Sequence, residues 1–227
     1  MKNKNLVKLL VVGVMLSGLI NTAEASLTGI KITEWMYNAD DTGGEFVEFT
    51  NFGATAVDFT GWSFDDNSRA PGSKKLSGFG LVAAGESVIL TELSAVLFRT
   101  EWNLASSVKV IGGNTQNLAR SDEINLYNNS NALVDRLTYN DQGAGKLKGP
   151  RTKGTSGVPN SLAVLGTNNA SLWHLSVVGN TDGAYTSMSG DIGSPGKTSL
   201  ITAVPLPATA WMFGAGLLGL ARKRVWH

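Results

Sequence analysis

Carboxylates are the residues of this chain best suited to chemistry. Glu34 follows the alternating pair Ile30 and Ile32, and Glu45 and Glu48 bracket Phe46 and Val47 in the run Glu45-Phe46-Val47-Glu48-Phe49. Side chains alternate across an extended strand, so Phe46 and Glu48 share one face while Glu45, Val47 and Phe49 share the other. Either face therefore carries a carboxylate among apolar groups. Paired with Glu34, such a group offers general acid–base chemistry. Burial favours a plainer role, because a buried charge must be paired or hydrogen-bonded. A structural Glu held by backbone N–H groups, an indole or an arginine is the expectation.

Metal and nucleophile chemistry find fewer parts. Asp40-Asp41 and Asp65-Asp66-Asn67 fall in predicted loops. Calcium takes several oxygens from flexible loops, but this spacing matches no EF-hand or repeat motif, and solvated turn residues are expected. The chain has two histidines and no cysteine, which removes thiolate catalysis and cysteine-based zinc sites. His174 stands beside Trp173 and Leu175, without a Gly-x-Ser-x-Gly elbow, and a strand-edge position is expected for it. Lys146, Lys148, Arg151 and Lys153 form a basic cluster suited to phosphate or an anionic polysaccharide, or simply to solvent. No catalytic, cofactor-binding or metal residue is assigned, and no enzyme activity is expected. A net charge of +1 argues against nucleic acid, whose binding rests largely on phosphate neutralisation.

The elements that must position these groups read as β-structure. Residues 28–36 and 45–50 alternate as strands, Trp62 and Phe64 alternate between turn residues, and 87–90 follow the turn Ala83-Ala84-Gly85-Glu86. Ser94 caps a helix over 94–102, with Phe98 and Trp102 four apart on one face. Ile124 and Leu126 alternate with polar neighbours, 128–131 turn, and 132–139 return as the second arm of a hairpin. Residues 141–160, rich in Gly, Lys, Thr and Pro, read as an exposed loop, and 171–178 as the last strand with Trp173 as anchor. Trp62 is expected to fill the space between sheets. About seven short strands, one short helix and no β–α–β alternation predict an all-β, Ig-like β-sandwich. Without disulfides, it must rest on its apolar core.

Both ends carry targeting patterns. Lys2, Lys4 and Lys8 flank an apolar stretch at 9–20, and Ala23-Glu24-Ala25 supplies a small-x-small site. Residues 1–25 therefore read as a signal peptide that signal peptidase cuts after Ala25. At the other end Val204-Pro205-Leu206-Pro207 leads into an apolar run to Ala221, then Arg222, Lys223 and Arg224. A membrane span needs about 20 apolar residues, with about 17 as the usual lower end, and the basic stop puts the C-terminus in the cytoplasm. Residues 204–227 are thus expected to carry a transmembrane helix, leaving 26–203 as one exported domain.

The tail resembles the PEP-CTERM sorting signal in its VPLP variant, reading VPLPATAWMFGAGLLGL and then ARKR. That resemblance implies a Gram-negative bacterium, processing by an exosortase near the Pro motif, and anchoring in the inner membrane by the C-terminal helix until then. It also implies delivery to the cell envelope or outer surface and a link to exopolysaccharide and biofilm. A second resemblance runs through the exported part. Ile30-x-Ile32-x-Glu34, Gly44-Glu45-Phe46-Val47-Glu48-Phe49-x-Asn51 and Ala56-Val57-Asp58-Phe59-x-Gly61-Trp62 look like the opening of a lamin tail domain. Asp122-Glu123-Ile124-x-Leu126, Val134-Asp135 and the turn Gly193-Ser194-Pro195-Gly196 look like its later elements. The resemblance covers most of 26–200 and implies an Ig-like sandwich with a binding or architectural role and no catalytic set.

The function expected from these readings is a non-enzymatic surface protein that binds or organises extracellular polysaccharide or biofilm matrix. The alternatives are an accessory exported enzyme of nuclease or glycosidase type, or a surface module that binds nucleic acid or calcium.

Overall fold

Two apolar alternations in the first strand are out of phase, and a bulge reconciles them. Ile30 and Ile32 would face away from Trp35 and Tyr37 in an unbroken strand, yet all four lie in the main core. The register against the next strand shifts between Ile32 and Glu34, as one extra residue in a strand requires. The shift sends Met36 into a second core on the opposite face.

The computed structural model describes residues 29–39, 43–180 and 182–201. The expected signal peptide with Ala23 and Ala25, the acidic pair Asp40-Asp41, and the sorting segment with Val204, Pro205, Leu206, Pro207, Arg222, Lys223 and Arg224 lie outside the described residues. Among the described residues no helix is long and apolar enough to cross a membrane.

The strands in chain order are β1 (Ile30–Met36), β2 (Phe46–Asn51), β3 (Val57–Asp58), β4 (Ser63–Asp65), β5 (Lys74–Lys75), β6 (Leu81–Val82) and β7 (Ser87–Thr91). After helix α1 (Ala95–Glu101) come β8 (Val110–Ile111), β9 (Ser121–Tyr127), β10 (Leu133–Asn140), β11 (Gly157–Pro159), β12 (Trp173–Leu175), β13 (Tyr185–Thr186) and β14 (Ile192–Gly193). A six-stranded sheet runs β12-β11-β1-β2-β7-β8 and a four-stranded sheet runs β10-β9-β4-β5. Val47, Phe49, Val88 and Leu90 from the first join Phe64, Ile124, Leu126 and Leu137 from the second in one core. The result is a mostly-β sandwich with a short helix, consistent with the Ig-like class.

The larger sheet is covered on its outer face as well. Phe46 and Ile89 pack there with Met36, Phe98 and Trp102 under α1, which is why every residue of β2 is buried. The cap is as expected: Ser94 Oγ accepts the Leu97 N–H at 3.2 Å.

Three expectations are corrected. The stretch 141–160 is not simply an exposed loop. It supplies β11, which pairs with β1 at Trp35↔Gly157 and with β12, and Thr152 and Ser156 are fully buried. A Cβ on Gly157 would lie 3.2 Å from Trp35 Nε1, so that glycine serves a close approach rather than solvent exposure. Second, β7, α1 and β8 form a small parallel β–α–β unit, invisible to alternation because β8 has two residues. Third, Trp62 does not fill the inter-sheet space. It is half-buried at the margin of the core, stacked on Phe59 at 4.6 Å, whereas Trp35 and Trp102 are the fully buried indoles. Trp62 follows the exposed turn at Gly61, so its ring closes the end of the core.

Candidate functional site

β1 and β2 set Glu34 and Glu48 directly opposite one another, with side chains 1% and 0% exposed. Glu34 Oε1 accepts from Ser156 Oγ and from the Ser194 N–H, and Oε2 accepts from Ser194 Oγ at 2.9 Å. Glu48 Oε1 accepts from Thr33 Oγ1 at 2.6 Å, and Oε2 from the Gly196 N–H at 2.7 Å. The closing turn therefore docks on two carboxyls. It can do so because Gly193 lacks a side chain: a Cβ there would stand 2.8 Å from Glu34 Oε1.

No cationic side chain pairs with either carboxyl among the described residues. Burial pushes Glu34 up to about 7. Burial and then the neighbouring Glu34 charge push Glu48 up to about 8. Thr33, Thr50 and Ser87 hydroxyls link at 2.8 and 2.7 Å and lead to Glu48, a chain whose donors can reverse when Glu48 holds a proton. The adjoining crevice, lined by Thr33, Glu34, Asp182, Ser194 and Lys197, has a volume of about 10 Å³, room for one water at most. These carboxyls fasten the turn to the sheet.

The other sequence candidates are dispersed. Glu45 Oε2 accepts the Leu118 N–H at 2.8 Å, Oε1 has no protein partner, and burial pushes the carboxyl up to about 8. Asp65 is not a solvated turn residue: it is fully buried and accepts from Ser68 Oγ and the Ala70 N–H, both at 2.9 Å. Asp66 Oδ1 accepts the Ser68 N–H at 3.2 Å. Among the described residues no three His, Asp or Glu side chains gather as metal ligands. His174 stands on the edge strand β12 as expected, with Nδ1 2.6 Å from Asn160 Oδ1 and Nε2 3.2 Å from Asp182 Oδ2. Lys146, Lys148, Arg151 and Lys153 are all exposed.

The feature that sequence reasoning missed lies on the outward face of the four-stranded sheet. Residues 66–73 fold back over β4 and β9. Asn125 Nδ2 donates to Asp66 O at 2.6 Å, and the Gly72 N–H donates to Ser63 Oγ at 2.8 Å. Arg69 grips Glu123 with two bonds, Nε to Oε2 at 2.8 Å and Nη2 to Oε1 at 2.6 Å. Arg69 has a φ of 54°, a left-handed conformation that costs a non-glycine residue roughly 1–2 kcal/mol. The bidentate, charge-assisted fork offsets that strain and holds the Glu123 carboxyl down to about 2. Arg136 Nε lies 3.7 Å from Glu123 Oε2 and also bonds Asn125 Oδ1, while Thr138 Oγ1 donates to Glu123 Oε1 at 3.1 Å.

Beside this network an open groove of about 470 Å³ is lined by Asn67, Arg69, Glu123, Thr138, Asn140 and Leu147, among others. Of its lining groups, Arg69 and Thr138 are held by Glu123, and Asn140 Oδ1 accepts the Gln142 N–H at 2.9 Å. The alternation of Glu123 and Asn125 against Ile124 and Leu126 marks the outward face in the sequence. Nothing local pairs Glu123 with Arg69, 54 residues away.

Comparison with known proteins finds one family. The family model described as Lamin Tail Domain matches residues 23–141. The match stops short of the 26–200 over which the sequence resemblance runs, leaving out β11 and β12 although both belong to the sheet of β1. No curated protein and no solved structure matches the chain.

Proposed function

Because the chain belongs to the lamin tail domain family, we propose that it is a non-enzymatic binding module that holds extracellular polysaccharide in the groove between residues 66–73 and β10. The carrying observation is the groove itself: an open volume of about 470 Å³ lined by the Asn67 and Asn140 amides, the Thr138 hydroxyl and the Arg69 guanidinium, the last two held by Glu123. Sugars present rows of hydroxyls, and such groups exchange hydrogen bonds with them at fixed spacing. The buried pair Glu34 and Glu48, the arrangement nearest to an acid–base site, has its oxygens engaged by protein donors, which supports binding over turnover.

In the same proposal the protein is exported and displayed. Signal peptidase removes residues 1–25, the segment 204–227 holds the chain in the inner membrane of a Gram-negative cell, and an exosortase processes it near Val204-Pro205-Leu206-Pro207. The module then serves the cell envelope or biofilm matrix. A panel of soluble polysaccharides tested by affinity electrophoresis against the full chain and Asn67→Ala/Asn140→Ala checks the site. Retardation by at least one glycan, lost in the double variant at unchanged melting temperature, is the expected outcome. Binding that ignores both substitutions sinks the groove as the site.

A further inference from the structure

The groove sorts its charges by exposure. Asp65, Asp122 and Glu123 are buried to 6% exposure or less. Asp122 accepts the Ala119 and Glu123 N–H groups at 2.9 and 2.8 Å, and Asp65 is taken up by its own turn. The cations stand outward. The Arg69 side chain is 56% exposed, and Lys146 and Lys148 are exposed on either side of the groove residue Leu147. Among the residues that line the groove the cation is Arg69, beside the buried carboxyls of Asp122 and Glu123.

Arg69 also has donors to spare. Its bonds to Glu123 use Nε and one Nη2 hydrogen along one edge of the guanidinium. The Nη1–Nη2 end offers a second parallel pair of N–H groups, a fork matched to a planar carboxylate. Asn67 and Asn140 line the same groove and can take the neighbouring hydroxyls.

We infer that the free end of Arg69 is an anion subsite, and that the groove selects acidic polysaccharide through the carboxylate of a uronic acid residue. This rests on the reading of the groove as a glycan site. A carboxylate and a phosphate ester both suit a guanidinium fork, and competition by inorganic phosphate distinguishes the two.

The test is calorimetric titration of the full chain with oligogalacturonate, with the same oligomer as its methyl ester, with a neutral glucan oligomer, and with inorganic phosphate as competitor. The acid should bind about tenfold or more tighter than its ester, as expected for a charge-assisted pair. Arg69→Gln should abolish that preference, and Arg69→Lys should restore only part of it. Lys146→Ala/Lys148→Ala should weaken binding less than either. Ester or glucan binding as tight as the acid would overturn the anion subsite while leaving a glycan groove in place. Absence of binding by all three oligomers would overturn the groove reading and the inference with it. Displacement of the uronate by inorganic phosphate at equal concentration would reassign the subsite to a phosphate-bearing ligand. Circular dichroism on each variant separates lost binding from lost fold.

Discussion

Raising the pH should loosen this domain, with Glu48 responsible for much of the loss. A Glu carboxyl ionises near 4.5 in the unfolded chain, whereas burial, reinforced by the Glu34 charge, holds Glu48 neutral in the fold up to about 8. A carboxyl whose folded pKa is raised stabilises fully below its unfolded value, and that contribution drains away as the pH climbs from 4.5 through about 8. Glu34, raised to about 7, and Glu45, raised to about 8, act in the same direction. Glu123, held down to about 2, acts oppositely: its contribution is present above 4.5 and lost as the pH falls through about 2. One pKa unit corresponds to about 1.4 kcal/mol. The Glu48 shift therefore amounts to roughly 3–5 kcal/mol, a large part of the roughly 5–15 kcal/mol that holds a domain together.

Glu48→Gln isolates the effect. Its amide oxygen can keep the Gly196 N–H, and its amide nitrogen can donate to Thr33 Oγ1, whose own proton turns toward Thr50. The assay is urea denaturation at about pH 5 and about pH 9, where m-values of about 1–3 kcal/mol per M apply. The wild-type midpoint should drop by about 1–3 M between the two conditions. The variant should drop clearly less and should exceed the wild type at the alkaline end. An equal drop in both proteins would refute the reasoning, because the pH dependence would then arise elsewhere.

Three further outcomes are expected. Trp35→Ala and Trp102→Ala should each cost roughly 3–5 kcal/mol and the half-buried Trp62→Ala about half as much; equal losses in thermal melts would restore Trp62 as a core anchor. Tyr139→Phe removes a buried hydroxyl that has no protein partner, so its melting temperature should match or exceed the wild type, and a fall of several degrees would reveal a partner for that hydroxyl. Mature protein should begin at Ser26, and deleting 204–227 should abolish membrane retention without shifting the melt. An intact N-terminus, or a large destabilisation by the deletion, counts against the targeting proposal.

What the sequence determined by itself is whatever local pattern carries. The helix was legible because Ser94, Phe98 and Trp102 act within one turn or two, and the β9–β10 hairpin because its arms are joined by the turn at 128–131. Alternation around Glu45 and Glu48 announced carboxyls among apolar groups, and both are buried. Which groups would hold them was decided by the tertiary structure. Glu48 meets the Gly196 N–H across 148 positions, and Glu34 meets Ser194 across 160. The bulge at Thr33, the placement of β11 beside Trp35 and the grip of Arg69 on Glu123 likewise depend on chain segments brought together from a distance. Periodicity records which way a side chain faces. What it faces is settled only when sheets pack, since a hydrogen bond between segments far apart in the chain leaves no mark on the residues next to either partner.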